Sequence, residues 1–157
     1  MRTAYKVLAY LVAAEVAVQA MVMVWAIAGL GKWIVGGGVL DGSVIESGGT
    51  LPFPEFFGII VHGINGTFVV PGLALLLLIV SFFTKVRGAI KWAAIVLALV
   101  VVQGLLGILG HEFTAAAAVH GLNALALFGV ALYAGRRLRA ATAAAVEQPE
   151  ARIATPV

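Results

Sequence analysis

Four long apolar blocks, residues 7–31, 56–83, 89–110 and 115–134, limit what this chain can fold into more than any other feature. At about 1.5 Å of rise per residue, each is long enough to cross a hydrocarbon layer of about 30 Å as a helix. A strand in lipid would leave its backbone groups unpaired, and no block shows the ten-residue alternation that membrane barrels need. The expected fold is therefore all-α: a transmembrane up-down four-helix bundle over residues 1–138. Composition leads to the same place, because 62% of the 157 residues are hydrophobic and only 11% are charged. An ordinary soluble domain is about half apolar and a quarter charged, and a small core cannot hide this excess. A soluble protein is excluded.

Arg2 and Lys6 precede the first block, and Val18-Gln19-Ala20 loosely imitates a cleavage site. The apolar stretch runs well past that tripeptide and is too long for a signal-peptide core, so the block is expected to be a retained span. Orientation follows from Lys and Arg in the short connections. Arg2, Lys6, Lys85, Arg87, Lys91, Arg136, Arg137 and Arg139 fall at the N-terminus, the second connection and the C-terminal flank. The first and third connections carry only Lys32 against Asp41, Glu46, Glu55 and Glu112. Both termini are expected to be cytoplasmic, in a multi-pass protein of a bacterial inner (cell) membrane. The basic residues flank spans rather than forming a patch on a soluble face, which argues against nucleic acid.

The outer connection 32–55 is rich in Gly and Ser and ends in Leu51-Pro52-Phe53-Pro54, a stiff approach to the second helix. Residues 139–157 are Ala-rich with Pro149 and Pro156, lack enough apolar surface to pack, and read as a flexible or frayed cytoplasmic tail. There is no cysteine. Disulfides, thiolate ligands, iron–sulfur clusters and covalent c-type haem attachment are thereby removed, and histidine is left as the main residue for metal chemistry.

The chain has three histidines, and two of them sit in one repeated pattern: His62-Gly63-Ile64-Asn65 and His120-Gly121-Leu122-Asn123. By the expected topology each lies about six residues inside the outer end of its span, about 9 Å deep at helical rise. Helices two and four run in the same direction, so the chain reads as a tandem duplication of a helical hairpin. Such a pair of imidazoles suits a six-coordinate haem b held inside a bundle, with His62 and His120 as the metal ligands. Gly63 and Gly121 would clear space beside the rings. Asn65 and Asn123 share each histidine's face and could hold a propionate, a water or the neighbouring helix. The competing reading is that these His and Asn residues are interhelical hydrogen bonds worth about 1 kcal/mol. Their repetition at matching depth favours a functional role, since polar groups in spans are costly.

Other residues add to this constellation. Gln103 lies near the depth of the two histidines, and Gly104, Gly107 and Gly110 make a groove where a helix or a flat cofactor could approach. Gly66, Gln103 and Gly107 are counted with His62, Asn65, His120 and Asn123 as candidate cofactor-binding positions. Gln103 could equally bond Asn65, Asn123 or a backbone carbonyl. Glu15 and Gln19 share a face of the first span, where a carboxyl should turn inward, be protonated or be paired. His111-Glu112 with His120 matches no zinc spacing. Pro71 frees the carbonyl of Thr67 and is expected to kink the second span. Trp25, Trp33 and Trp92 read as interfacial anchors.

A histidine in span two, Gln-Gly-x-x-Gly in span three and a second His-x-x-Asn in span four resemble one four-helix half of the haem A synthase family. The likeness covers residues 56–134 well. It implies a bis-histidine haem b near the extracytoplasmic side, at His62 and His120. Those synthases have eight spans and a glutamate close before the active-site histidine; here there are four spans, and Glu55 lies seven positions before His62. Haem methyl hydroxylation does not carry over from the resemblance; with both axial positions filled, substrate could not coordinate iron, and electron transfer or haem handling is expected instead of oxygen activation. The chain also looks like small four-span proteins of actinobacteria, which imply no particular activity. Whether it is an enzyme stays open at this point. Implied partners are the bilayer and a membrane redox partner or quinone, with a homo-oligomer left open. The alternative is a non-enzymatic membrane subunit or assembly factor whose His/Asn pairs are structural.

Overall fold

The computed structural model describes residues 1–42, 44 and 51–153 of the chain, with side chains as far as Arg137. Glu46 and the Gly48-Gly49 pair of the long connection lie outside the described residues. Among the described residues, four helices are long and apolar enough to cross a membrane: α1 (Arg2–Val35), α2 (Pro54–Ser81), α3 (Ala89–Leu109) and α4 (Thr114–Ile153), whose apolar part is Thr114–Arg137. Among the described residues there is no strand. The protein is an all-helical four-helix bundle with the character of a multi-pass membrane protein. The α4 backbone continues as helix to Ile153, carrying the Ala-rich segment that composition alone leaves without a packing partner.

Only 11% to 22% of each helix's most apolar window is buried within the protein. Large side chains such as Val24, Phe68, Leu105, Ile108, Leu122 and Leu125 are exposed, while His62, Asn65, Gln103, His120 and Asn123 are half-buried. This inverts the soluble pattern, as expected when the surrounding solvent is hydrocarbon and polar groups must be satisfied internally.

Two compact units are distinguished by their packing: Met1–Val16 with the chain from Val70 onward, and Ala17–Val69. The larger unit contains segments of all four helices. Its core is built from Tyr5, Ala9, Val12 and Ala13 of α1, Val70, Ala74 and Leu77 of α2, Ala89, Ala93, Val96 and Val100 of α3, and Leu127, Ala131 and Ala134 of α4. The three- and four-residue spacing places each set on one helix face. Alanine dominates because small side chains let backbones approach, and close van der Waals contact, not expulsion of water, holds helices together in lipid.

One end of this unit is tied by polar contacts. The Tyr5 hydroxyl donates to the Ala89 carbonyl at 3.1 Å, and Arg2 Nε donates to the Thr84 carbonyl at 3.4 Å. The α2–α3 turn between them is closed by Thr84, whose hydroxyl donates to Ser81 O and accepts from the Val86 amide. It needs two left-handed residues, Lys85 (φ 55°) and Gly88 (φ 84°), of which only the glycine is free of a Cβ penalty.

The smaller unit is a hairpin of the second half of α1 against the first part of α2. A Cβ at Gly58 would lie 2.5 Å from the Val22 carbonyl oxygen, so glycine lets the two backbones touch there. The Glu55 side chain fills the space beside Gly29 in the same way. Phe53 is buried, packing on Trp33 (5.5 Å between ring centroids) and edge-on to Phe56 (5.7 Å), so the approach to α2 is stapled by aromatic contact.

The expected kink before Pro71 takes the form of a π-helical turn, Asn65–Val69, inside α2. Proline lacks an N–H and its ring crowds the carbonyl four residues back. A wider turn relieves that crowding without ending the helix.

Candidate functional site

His62 sits on the α-helical stretch Phe57–Ile64, directly before the π turn. Its Nδ1 lies 3.3 Å from the backbone carbonyl oxygen of Gln19 on α1. A carbonyl oxygen can only accept, so this contact needs a proton on Nδ1. In the larger unit the arrangement recurs. His120 on α4 places Nδ1 3.0 Å from the backbone carbonyl oxygen of Gln103 on α3, which needs the same proton.

The repeated element is thus larger than the His-Gly-aliphatic-Asn pattern. Each half of the chain contributes a glutamine, after Val18 in one and Val102 in the other, whose main-chain oxygen holds the imidazole of the following helix. The role of Gln19 was not legible from its spacing to Glu15. The signal that could have found it is the second Val-Gln pair at residues 102–103.

Around His120 the sequence-predicted residues come together. A Cβ at Gly107 would meet the His120 ring at 3.4 Å, so this glycine is the bed on which the imidazole lies. Asn123, one turn further along α4, donates to Gln103 Oε1 at 2.6 Å and to the Leu99 carbonyl at 3.0 Å. Of the alternatives for Asn123 and Gln103, the structure has them bonded to each other and to the α3 backbone. Gly110 allows the close α3–α4 approach at Ala117, whereas Gly104 faces open space, so the three glycines do not form one continuous packed groove.

Around His62 the polar partners differ. Gly66 lies beside the Gln19 carboxamide, with its Cβ position 3.6 Å from Gln19 Oε1. The Gln19 Nε2 and Oε1 atoms are buried and make no hydrogen bond, in contrast to the satisfied carboxamide of Gln103. Asn65 is half-buried at the start of the π turn.

Gly63 and Gly121 lie on exposed helix faces, where a Cβ would meet no residue within 4 Å other than their own chain neighbours. Gly107, on the facing helix, makes room for an imidazole. The third histidine, His111, is exposed with Glu112 in the α3–α4 turn. Among the described residues no three His, Cys, Asp or Glu side chains gather as a metal site, which a two-imidazole axial pair does not require.

No family model matches the sequence, and no curated protein or solved structure matches it either. The chemistry of the site therefore rests on its own donor set. An imidazole ligating haem iron through Nε2 must be neutral, and metal-bound histidines characteristically donate the other ring N–H to a carbonyl or carboxylate. His62 and His120 each meet the second condition within their own unit, through the Gln19 and Gln103 carbonyls, a donor arrangement that suits a haem-ligating imidazole.

Proposed function

We propose that this chain is an integral membrane protein that binds haem b with His62 and His120 as axial ligands, and that it acts in electron transfer or haem handling. One observation carries the reading: both histidines of the repeat place Nδ1 against a glutamine main-chain carbonyl, the orientation in which Nε2 is the ring nitrogen that would ligate iron. A carbonyl that accepts from Nδ1 also fixes the plane of each ring and raises the basicity of its ligating nitrogen. Bound there, haem would supply one-electron redox chemistry between ferric and ferrous iron. If His62 and His120 both held the iron, no site on it would be left for a substrate, which would favour electron transfer or haem carriage over oxygen activation.

The basic flanks support cytoplasmic termini, which puts both histidines toward the extracytoplasmic side of a bacterial inner membrane. A membrane redox partner or quinone would exchange the electron.

The optical spectrum of the detergent-purified protein, oxidised and reduced, tests the assignment. The expected result is a low-spin haem b signature that is lost in both His62→Ala and His120→Ala and retained in His111→Ala. Retention of that signature in both ligand variants would overturn it.

A second reading, a non-enzymatic membrane subunit or assembly factor, is favoured by the hydrogen bonds of Asn123, which tie α4 to α3. Well-folded protein that stays colourless after expression with ample haem selects this reading.

A further inference from the structure

We propose that the basic end of the larger unit holds the phosphate of an anionic phospholipid between Arg87 and Arg137. Seven described Lys and Arg residues belong to this end: Arg2, Lys6, Lys85, Arg87, Lys91, Arg136 and Arg137. Contacts of Arg2 with Thr84 and of Tyr5 with Ala89 bring the N-terminus against the α2–α3 turn. No Asp or Glu whose side chain is described belongs to this end. Seven cations without a local counter-charge repel one another, and an anion at their centre relieves that repulsion.

A shallow cleft opens here, lined by Tyr5, Arg87, Gly88, Trp92 and Arg137. Arg137 is already positioned: its Nη1 donates to the Tyr133 hydroxyl at 3.1 Å, and the Tyr133 ring meets Trp92 edge-on at 4.6 Å. Its other edge faces the cleft, because the Cβ position of Gly88 is 3.9 Å from both Nε and Nη2. Those two N–H groups form the planar fork that grips a phosphate bidentately, a geometry lysine cannot copy. Gly88, with its left-handed backbone and no side chain, keeps the mouth of the cleft open. Arg87 is exposed at the same mouth and supplies a second cation.

The exposed apolar side chains Phe82, Phe83 and Ile90 flank this turn. A ligand bound here therefore sits where acyl chains run alongside protein, which favours a lipid headgroup over a free anion. Trp92 and Tyr133 are amphipathic rings of the kind that settle at headgroup level.

Native mass spectrometry of protein extracted from vesicles of mixed phosphatidylcholine and phosphatidylglycerol tests the proposal. Wild type is expected to retain phosphatidylglycerol selectively. Arg87→Gln/Arg137→Gln is expected to lose that selectivity at least fivefold, and Lys6→Gln/Lys85→Gln, which removes the same charge at the same end, to keep it. Equal loss in both double variants would reduce the effect to diffuse charge and overturn the site. Displacement of the lipid by millimolar inorganic phosphate would overturn the lipid assignment in favour of a free anion. If the arginine double variant does not fold by circular dichroism, Arg137→Lys decides: it keeps the charge and removes the fork, and unchanged retention overturns the proposal.

Discussion

At the scale of single residues, hydrogen bonding to main-chain carbonyls sets the chemistry. Nδ1–H of His62 and of His120 is committed to Gln19 O and Gln103 O, which fixes how each ring is oriented. The Asn123–Gln103 bond ties α4 to α3 at the same level. Replacing Asn123 by leucine keeps much of the volume and removes two donors. The expected cost is about 1 kcal/mol, the usual size of an interhelical polar contact in a membrane protein, read as a shift in the unfolding equilibrium in detergent. The sequence identified these residues as a group through the repeat. It did not say which partner each would take, because a carboxamide can bond a neighbouring helix, a water or a ligand with equal chemistry. Only the rotamer and the facing backbone choose.

At the scale of helices, glycine has opposite meanings at different positions. A Cβ at Gly58 would press on the Val22 carbonyl oxygen, whereas one at Gly63 would meet nothing within 4 Å. Gly58→Ala is therefore expected to cost about 1–3 kcal/mol through overpacking against a backbone that cannot yield. Gly63→Ala is expected to be neutral or to stabilise by up to about 1 kcal/mol, since alanine is the better helix former. Parallel unfolding of the two variants separates the positions; similar losses in both would refute this account of the α1–α2 contact. The helix bounds were legible from hydropathy to within about five residues except at the end of α4, where the helix runs on to Ile153, well past the apolar block that ends at residue 134. The π turn at Asn65–Val69 was legible only as a kink: Pro71 announces a missing donor but not how the preceding carbonyls are rearranged.

At the scale of the whole chain, the bundle is held by alanine-rich contact faces in the larger unit, while most of its apolar surface is left to lipid. The proposed topology puts both termini on one side, together with the α2–α3 turn. The chain's lack of cysteine makes this simple to check. A single cysteine at Lys85 or at Arg2 is expected to react with an impermeant maleimide only in inside-out vesicles, and one at Lys32 only in right-side-out vesicles; the opposite pattern would invert the topology. The number of apolar helices and the duplicated histidine motif were decided by the sequence alone, because hydrocarbon imposes a length and a polarity rule that every residue must obey. Which glycines carry contacts, how each histidine ring is oriented, and why the Gln103 carboxamide is satisfied while that of Gln19 is not were decided by the tertiary structure. Those outcomes depend on distances of a few ångströms between segments far apart in the chain, and local spacing holds no information about them.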